Sequence, residues 1–186
     1  MEYSQYIDLQ KHKTCDPERR KKWLTEEWDL KLNGFKKIFN NHIEFVGQRC
    51  LCIGARTGQE VQALIDMGKD AIGIDLVAHE PLVKEGDFHD LADENETFDF
   101  VFTNVFDHAL YPEKFSSEAF RVLKKGGYGL FHLQVNVPND EYGVNDVNDL
   151  NKDFLDFFPE KEVIRNTRIF YSEFSTFNRE ILLKKL

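Results

Sequence analysis

The chain has 186 residues, of which 41% are hydrophobic and 17 are phenylalanine, so it is large enough to bury a core as one domain. Its net charge of −9 argues against a broad surface for nucleic-acid phosphates, which requires a basic face. The sequence has no apolar run long enough to span a membrane, and polar residues rather than a signal peptide follow Met1, so we expect a cytoplasmic protein without a membrane contact.

The N-terminal region has a strong helix-start signal at Asp16 and Pro17, an N-cap acid followed by proline in the first turn. Apolar residues then recur at three- and four-residue intervals, at Leu24, Trp28, Leu32, Phe35 and Phe39. This stripe predicts one helix packed on the core, and a mobile lid is the less favoured alternative. We expect residues 1–186 to form a single domain whose N-terminal helical segment, about 1–42, covers the active site.

The most informative stretch is a predicted strand, turn and helix between residues 50 and 68. The apolar run from Cys50 to Ile53 ends in Gly54, and Gly58 precedes a helical pattern that ends at Gly68. Glycines allow a ligand to approach the backbone, and a helix start offers unpaired N–H groups and the positive end of a dipole. The turn is therefore suited to an anionic or carboxylate-bearing, nucleotide-like ligand.

A second short apolar strand, 71–75, ends in Asp75. An acidic residue at this point of an open α/β sheet commonly binds a ribose diol. The dinucleotide fingerprint G-x-G-x-x-G fails, because Arg56 and Gln59 occupy its registers. Only ten residues separate Asp75 from Gly86, which leaves no room for a crossover helix; a loop and a short strand at 82–84 are expected instead.

The remaining predicted elements follow in a regular order. We expect a central strand at 98–103, a helix that begins at Pro112 and reaches Lys124 and Lys125 before a Gly126 cap, and a fifth strand at 128–133. Downstream we expect an Asn- and Asp-rich loop at 136–149, a helix at 151–158, and a closing antiparallel pair at 163–170 and 179–183. No cluster of further His or Cys ligands accompanies the three cysteines, Cys15, Cys50 and Cys52, so we expect them to be reduced rather than bound to a metal. Cys50 and Cys52 should lie on the same face of their strand.

These motifs together resemble the class I S-adenosylmethionine (SAM)-dependent methyltransferases, in particular the type 11 group, over residues 45–135. Gly54 and Gly58 match the outer glycines of the first motif, and Asp75 matches the ribose-binding acid. Gly86-Asp87-Phe88 is similar to the adenine-side segment, and residues 98–104 are similar to the fourth strand. Leu123-Lys124-Lys125-Gly126-Gly127 resembles the family's Leu-Lys-Pro-Gly-Gly turn, with Lys125 in place of proline. The resemblance implies an α/β fold: a Rossmann-like open sheet of about seven strands, mostly parallel, with a C-terminal antiparallel hairpin and helices on both faces.

The resemblance also implies the cofactor, SAM, and the residues that hold it. By position in the motifs these are Gly54, Ala55, Arg56, Gly58, Asp75, Leu76, Asp87, Phe88 and Asn104. The sequence departs from the family twice, because Cys52 replaces the acid of the first motif and Arg56 replaces its middle glycine. Two roles are open for Arg56. Its aliphatic stem covers the sheet while its guanidinium stays in water, or its charge serves the cofactor carboxylate or an anionic substrate.

Candidate groups for the chemistry follow the fourth and fifth strands, whose carboxyl ends should meet at the ligand site. His108 is the candidate base because its ordinary pKa lies near neutrality, with Asp107 beside it; the alternative is a loop-structuring pair. Tyr111, His132 and Gln134 are the candidate substrate contacts. We expect methyl transfer to a small polar molecule, with a sugar hydroxyl or an amine as the acceptor. The alternative is a catalytically silent SAM-binding domain or a partner module of another methyltransferase.

Overall fold

The computed structural model describes residues 1–169 and 177–186, which form a seven-stranded sheet in the order β3-β2-β1-β4-β5-β7-β6. The strands are β1 (Arg49–Ile53), β2 (Asp70–Asp75), β3 (Val83–Glu85), β4 (Phe98–Thr103), β5 (Leu123–Leu133), β6 (Lys161–Arg168) and β7 (Arg179–Lys185). Neighbours among β1 to β5 pair in parallel, whereas β7 is antiparallel to both β5 and β6. The predicted α/β sheet with an antiparallel C-terminal pair is confirmed; residue 170, the predicted end of β6, lies outside the described residues.

In the described part of the chain, five α-helices accompany the sheet: α1 (Tyr3–Cys15), α2 (Pro17–Leu24), α3 (Trp28–Asn41), α4 (Gln59–Asp66) and α5 (Pro112–Val122). The helix start at Asp16 is confirmed, since its Oδ1 accepts a hydrogen bond from the Arg19 N–H at 2.8 Å. The prediction of one continuous helix after it is wrong. Helix α2 ends at Thr25, whose torsion angles, φ −121° and ψ −77°, are not helical, and whose hydroxyl donates back to the Lys21 carbonyl at 2.8 Å.

The sheet separates two apolar clusters, one on each face. Cys50, Cys52 and Phe100 point to the side of α3 and α4, where they pack with Phe39. The alternate positions, such as Leu51 and Val101, point to the side of α5. This period of two is the ordinary alternation of a strand buried on both faces, and it places the two cysteines on one face as predicted.

Two predicted helix boundaries are corrected by the structure. The helix from Pro112 ends at Val122, and Lys124 belongs to β5, where its Nζ bonds Asp99 of β4 at 2.7 Å. The predicted helix at 151–158 is limited to turns and a 3₁₀ segment at Leu155–Phe157. There the Asp149 and Asp153 carboxylates accept backbone N–H bonds, which competes with helix formation. As predicted, no helix lies between β2 and β3.

Across the described residues, no helix is both long enough and apolar enough to cross a bilayer.

Candidate active site

The loop from Gly54 to Gly58 joins β1 to α4 and is tightly packed. Gly54 and Gly58 have φ values of 73° and 88°. A Cβ at Gly54 would lie 2.3 Å from Cγ2 of Val105, and one at Gly58 would lie 2.8 Å from Cβ of Leu82. Both positions therefore require glycine, for the backbone conformation and for space. Arg56, between them, has a φ of 49°, which is uncommon for a residue with a side chain.

Asp75, at the end of β2, fixes this loop. Its Oδ2 accepts from the Arg56 N–H at 3.0 Å, and its Oδ1 accepts from the Val77 N–H at 3.3 Å. Burial raises the pKa of Asp75, and the N–H of Arg56 opposes that rise. A carboxylate offers about four acceptor positions, so two backbone donors leave capacity for a diol.

Asp87, in the segment after β3, is engaged by α1. The Tyr3 hydroxyl donates a hydrogen bond to Asp87 Oδ2, and Oδ1 accepts from the His89 N–H at 2.8 Å. Burial raises the pKa of Asp87, but hydrogen bonds from His89 and Tyr3 outweigh it and lower the pKa to about 2. The Tyr3 ring also stacks on Tyr111 with a centroid distance of 5.6 Å. Tyr3 thus occupies the carboxylate that the sequence assigns to the adenine side.

A cavity of about 40 Å³ lies between α1 and the carboxyl edge of the sheet. Gln10, Lys13 and Thr14 of α1 form one wall. Six of the seven residues on the opposite wall are site residues predicted from the sequence: Gly54, Arg56, Asp75, Leu76, Phe88 and His108. Pockets that hold drug-sized ligands have volumes of roughly 300–1,000 Å³, so α1 fills most of the space a nucleoside derivative would need.

His108 lies in a 3₁₀ turn, Phe106–His108, directly after β4. Its Nδ1 is 3.1 Å from the Tyr142 carbonyl oxygen, and its Nε2 is 3.3 Å from Nζ of Lys13. A carbonyl can only accept, so Nδ1 carries the hydrogen and the lone pair of Nε2 accepts from Lys13. Burial lowers the pKa of His108, and Asp107 opposes this while Lys13 adds to it. The imidazole is therefore neutral at pH 7 and able to accept a proton at Nε2.

The groups around His108 come from three parts of the chain. Oδ2 of Asp107 is 3.5 Å from the His108 Nε2 and accepts from Nε2 of Gln134 at 3.2 Å. Lys13 pairs with Asp140 at 3.1 Å, and burial lowers the pKa of the Lys13 ammonium. The structure thus brings together His108, Asp107 and Gln134, and it adds Lys13 from α1.

Four other predicted site residues do not line the cavity. His132 is 2% exposed and points to the opposite face of the sheet, where its ring packs on Phe102 and its Nε2 is 3.0 Å from Glu180. It is therefore not a cavity residue, since its position in β5 directs it to the α3 side. Tyr111 is 47% exposed; its ring stacks on Tyr3, and its backbone N–H donates to Nε2 of His89 at 3.2 Å. Ala55 is fully buried beneath the loop, and Asn104 is half-buried directly after β4.

Sequence reasoning missed the site residues of the N-terminal helices. Tyr3, Lys13 and Trp23 contact Asp87, His108 and Arg56, respectively. Tyr3 and Asp87 are 84 positions apart in the chain, and Lys13 and His108 are 95 positions apart. No local pattern marks such pairs, and only the placement of α1 over the sheet edge creates them. Among the described residues, no group of three or more His, Cys, Asp or Glu side chains is arranged to hold a metal ion.

Comparison with known proteins identifies the fold and finds a family model that matches part of the chain. Residues 51–131 match the family model described as a methyltransferase domain, type 11. No curated protein gives a match. Among solved structures, the chain is similar to a Burkholderia thailandensis 1,6-didemethyltoxoflavin N1-methyltransferase with bound 1,6-didemethyltoxoflavin and S-adenosylhomocysteine. That likeness has 12% identity and a TM-score of 0.72, over 96% of this chain and 87% of the other.

Two further structures extend the comparison. A SAM-dependent methyltransferase from Aquifex aeolicus has 17% identity and a TM-score of 0.62, with all of both chains covered. A chain in the complex of a Haloferax volcanii methyltransferase with the Trm112 methyltransferase activator has 17% identity and a TM-score of 0.57, over 86% of this chain and 97% of the other. These likenesses establish the fold, and the family model covers the glycine loop and the strands that carry the site. Residues 51–131, 81 of the 186 positions, are therefore similar to a type 11 methyltransferase domain, and the chain shares its fold with solved SAM-dependent methyltransferases.

Proposed function

We propose that this methyltransferase transfers the methyl group of SAM to a hydroxyl of a small polar acceptor, at the sheet edge where Asp75, Phe88 and His108 meet. The observation that carries the proposal is the convergence of six residues, chosen from sequence motifs, on one wall of one cavity. Open α/β sheets bind ligands at this edge.

The residues of this wall fit the cofactor. The Gly54–Gly58 loop has no room for side chains at its two ends, as a close backbone approach to a ligand requires. Asp75 keeps acceptor positions for a ribose diol, and Phe88 offers an apolar surface at the adenine side. SAM, when bound, supplies a methyl group activated on a sulfonium; the task of the chain is to align the acceptor and remove its proton.

His108 is the proposed base. Its Nδ1–H is held by the Tyr142 carbonyl, which leaves Nε2 as the basic nitrogen facing the cavity wall with Lys13. The proton of the acceptor hydroxyl passes to Nε2 as the oxygen takes the methyl group. Asp107 then faces the imidazolium and stabilises its charge.

We also propose that α1 is a cover that moves when ligands enter, because the present cavity of about 40 Å³ is smaller than the cofactor. The anchors of α1 are polar and few: Tyr3 on Asp87, Gln10 on the Tyr142 carbonyl, and Lys13 on Asp140. A helix held by such contacts can open at modest cost in free energy, since each hydrogen bond contributes about 1 kcal/mol.

The acceptor is proposed to be polyhydroxylated, with a sugar as the first candidate. The support is the polar segment 136–149, which reaches the site through Asp140 and Tyr142 and is rich in Asn and Asp. A ring nitrogen is the competing acceptor, because the similar Burkholderia enzyme is an N1-methyltransferase crystallised with a small heterocycle.

A second candidate is a SAM-binding partner module without turnover. Cys52 and Arg56 at family motif positions favour it, as does the likeness to a chain solved with a methyltransferase activator. It predicts that S-adenosylhomocysteine binds while every acceptor is left unmethylated.

The test is methyl transfer from labelled SAM to a panel of sugars, amines and nitrogen heterocycles, with wild type and His108→Asn. We expect hydroxyl methylation that falls about 100-fold or more in His108→Asn at pH 7, with unchanged affinity for S-adenosylhomocysteine. Methylation confined to ring nitrogens, at a rate His108→Asn does not alter, would contradict the hydroxyl proposal. Cofactor binding without any transfer would favour the partner module.

A further inference from the structure

Arg56 is a cation at the glycine loop, and its guanidinium makes no ion pair with any of the described residues. Its guanidinium lies 4.4 Å from the ring centroid of Trp23, and its side chain lines the cavity. Within the described part of the chain, this side chain forms no ion pair and no hydrogen bond; only its backbone N–H is engaged, by Asp75. An arginine presents five N–H donors in a planar fork that matches a carboxylate.

The neighbouring cations are different, because each has a carboxylate of its own. Lys13 pairs with Asp140 at 3.1 Å, and Lys31 pairs with Glu27 at 2.6 Å. Burial lowers the pKa of both lysines, and the positive charge of Arg56 lowers it further, so the three cations share one region. Of these three cations, Arg56 is the one without a carboxylate partner among the described residues.

The nearby buried acid does not neutralise Arg56. Glu60, in the first turn of α4, is 5% exposed and makes no ion pair with Arg56. Burial raises the pKa of Glu60 to about 7, with Arg56 opposing the rise, so the carboxyl is only partly ionised at neutral pH. The guanidinium therefore interacts with Glu60 and Asp75 only at a distance, without a direct ion pair, and it lies next to the cavity.

The backbone and Trp23 together direct this charge. Arg56 has a left-handed backbone, φ 49°, and its N–H is fixed on Asp75. Trp23 is 7% exposed, and its carbonyl accepts from Nε2 of Gln59 at 2.9 Å, so the ring is held against the start of α4. A guanidinium stacked on a buried ring keeps its edge free for an in-plane carboxylate.

We propose that Arg56, positioned by Trp23, binds the α-carboxylate of the methionine part of SAM. The inference rests on the proposed function, since it needs the cofactor to lie with its ribose at Asp75, which the Arg56 backbone contacts. It also accounts for both departures from the family motif. Cys52 is fully buried and uncharged, so the ammonium loses an acidic partner, while the carboxylate gains a cationic one at Arg56.

The test compares two ligands that differ in the amino-acid part, S-adenosylhomocysteine and 5′-methylthioadenosine, by calorimetry on the full chain. Arg56→Asn removes the charge and tolerates the left-handed backbone; Arg56→Gly restores the family residue and relieves the backbone. For both variants we expect affinity for S-adenosylhomocysteine to fall about 10- to 100-fold, whereas that for methylthioadenosine changes about twofold at most. Trp23→Leu should lower only the affinity for S-adenosylhomocysteine, by about 3- to 10-fold, and Trp23→Phe should keep most of that affinity.

Arg49→Asn is the matched control. Arg49 also stacks on an aromatic ring, that of Phe98 at 5.5 Å, but at the opposite end of β1. Arg49→Asn should leave the affinities for S-adenosylhomocysteine and for methylthioadenosine unchanged. Unchanged affinity for S-adenosylhomocysteine in Arg56→Asn, or an equal loss for both ligands, would overturn the inference while leaving the cofactor assignment intact. A wild type that binds neither ligand would overturn the proposed function and this inference with it.

Discussion

The backbone N–H of Arg56 donates a hydrogen bond to Oδ2 of Asp75 at 3.0 Å, which ties the glycine loop to the tip of β2. Loop and acid are adjacent because β1 and β2 are neighbouring parallel strands, with Ile53 opposite Ile74. In the proposed site the carboxylate would have two tasks, to hold the loop and to accept hydrogen bonds from the ribose of the cofactor. The proposed role of the Arg56 side chain differs, because it concerns only the amino-acid part of the cofactor.

Asp75→Asn is expected to lower the affinity for S-adenosylhomocysteine and the affinity for methylthioadenosine alike, by about 10- to 100-fold each. The reason is that the amide has one acceptor oxygen where the carboxylate has two, and the ribose is common to both ligands. Calorimetric titration measures both affinities. Asp70→Asn, an exposed change at the start of the same strand, is the control. A loss limited to S-adenosylhomocysteine would contradict the ribose assignment.

Tyr3→Phe is expected to raise the association rate of S-adenosylhomocysteine roughly 3- to 10-fold, because it removes the hydroxyl through which α1 donates a hydrogen bond to Asp87. Stopped-flow fluorescence of the tryptophans measures the association rate. Tyr111→Phe keeps the ring that stacks on Tyr3 and should leave the rate unchanged. If Tyr3→Phe left the rate unchanged or lowered it, α1 would not be a cover over the adenine side.

Lys13→Gln is expected to raise the pKa of the His108 imidazole, and Asp107→Asn to lower it. A cation 3.3 Å from Nε2 disfavours the imidazolium, whereas the carboxylate 3.5 Å away favours it. NMR titration of the histidine ring protons measures the pKa of the imidazole directly and requires no methyl acceptor. Lys11→Gln, on the same helix but paired with Glu85, is the control. Equal His108 pKa values in wild type and Lys13→Gln would show that α1 does not touch the proposed base.

Glu60→Gln is expected to make the protein more stable at pH 8 and to flatten its dependence on pH. The folded pKa of Glu60, about 7, lies above its ordinary value of 4.5, so its stabilising contribution is present below pH 4.5 and is lost as the pH rises through 7. The loss in unfolding free energy is on the order of 3 kcal/mol. Urea unfolding at several pH values measures it.

Glu113→Gln is the control for Glu60, since Glu113 also lies in the first turn of a helix but is exposed. It should leave the pH dependence of the unfolding free energy unchanged. A wild type whose stability does not fall between pH 5 and pH 8 would contradict the buried, partly protonated state of Glu60.

The strands of the sheet could be predicted from the sequence because they are short apolar runs bounded by glycine or by an acidic residue. Cys50–Ile53 and Phe98–Thr103 are examples, and the missing helix before Gly86 follows from chain length alone. The break between α2 and α3 was not predictable from the apolar stripe, since the spacing continues through it. Helix α2 ends at Thr25, where a local hydroxyl bond competes weakly with helix propensity.

The site was predictable only on its sheet side. Gly54, Asp75 and His108 lie at strand ends, where chain order already implies proximity. Lys13 and Trp23 enter through the packing of α1 and α2, and no periodicity encodes which residue they will meet. His132 shows the same limit, because the residue it contacts, Glu180, is set by the β5–β7 register.

The most direct test of the account is calorimetric titration of the purified protein with S-adenosylhomocysteine, with NADH as the control ligand. We predict binding at one site, absence of NADH binding, and an added unfolding free energy of about 2.7 kcal/mol at a hundredfold excess of ligand over Kd. Failure to bind S-adenosylhomocysteine, or binding of NADH in its place, would contradict the assignment of this sheet edge as a SAM site.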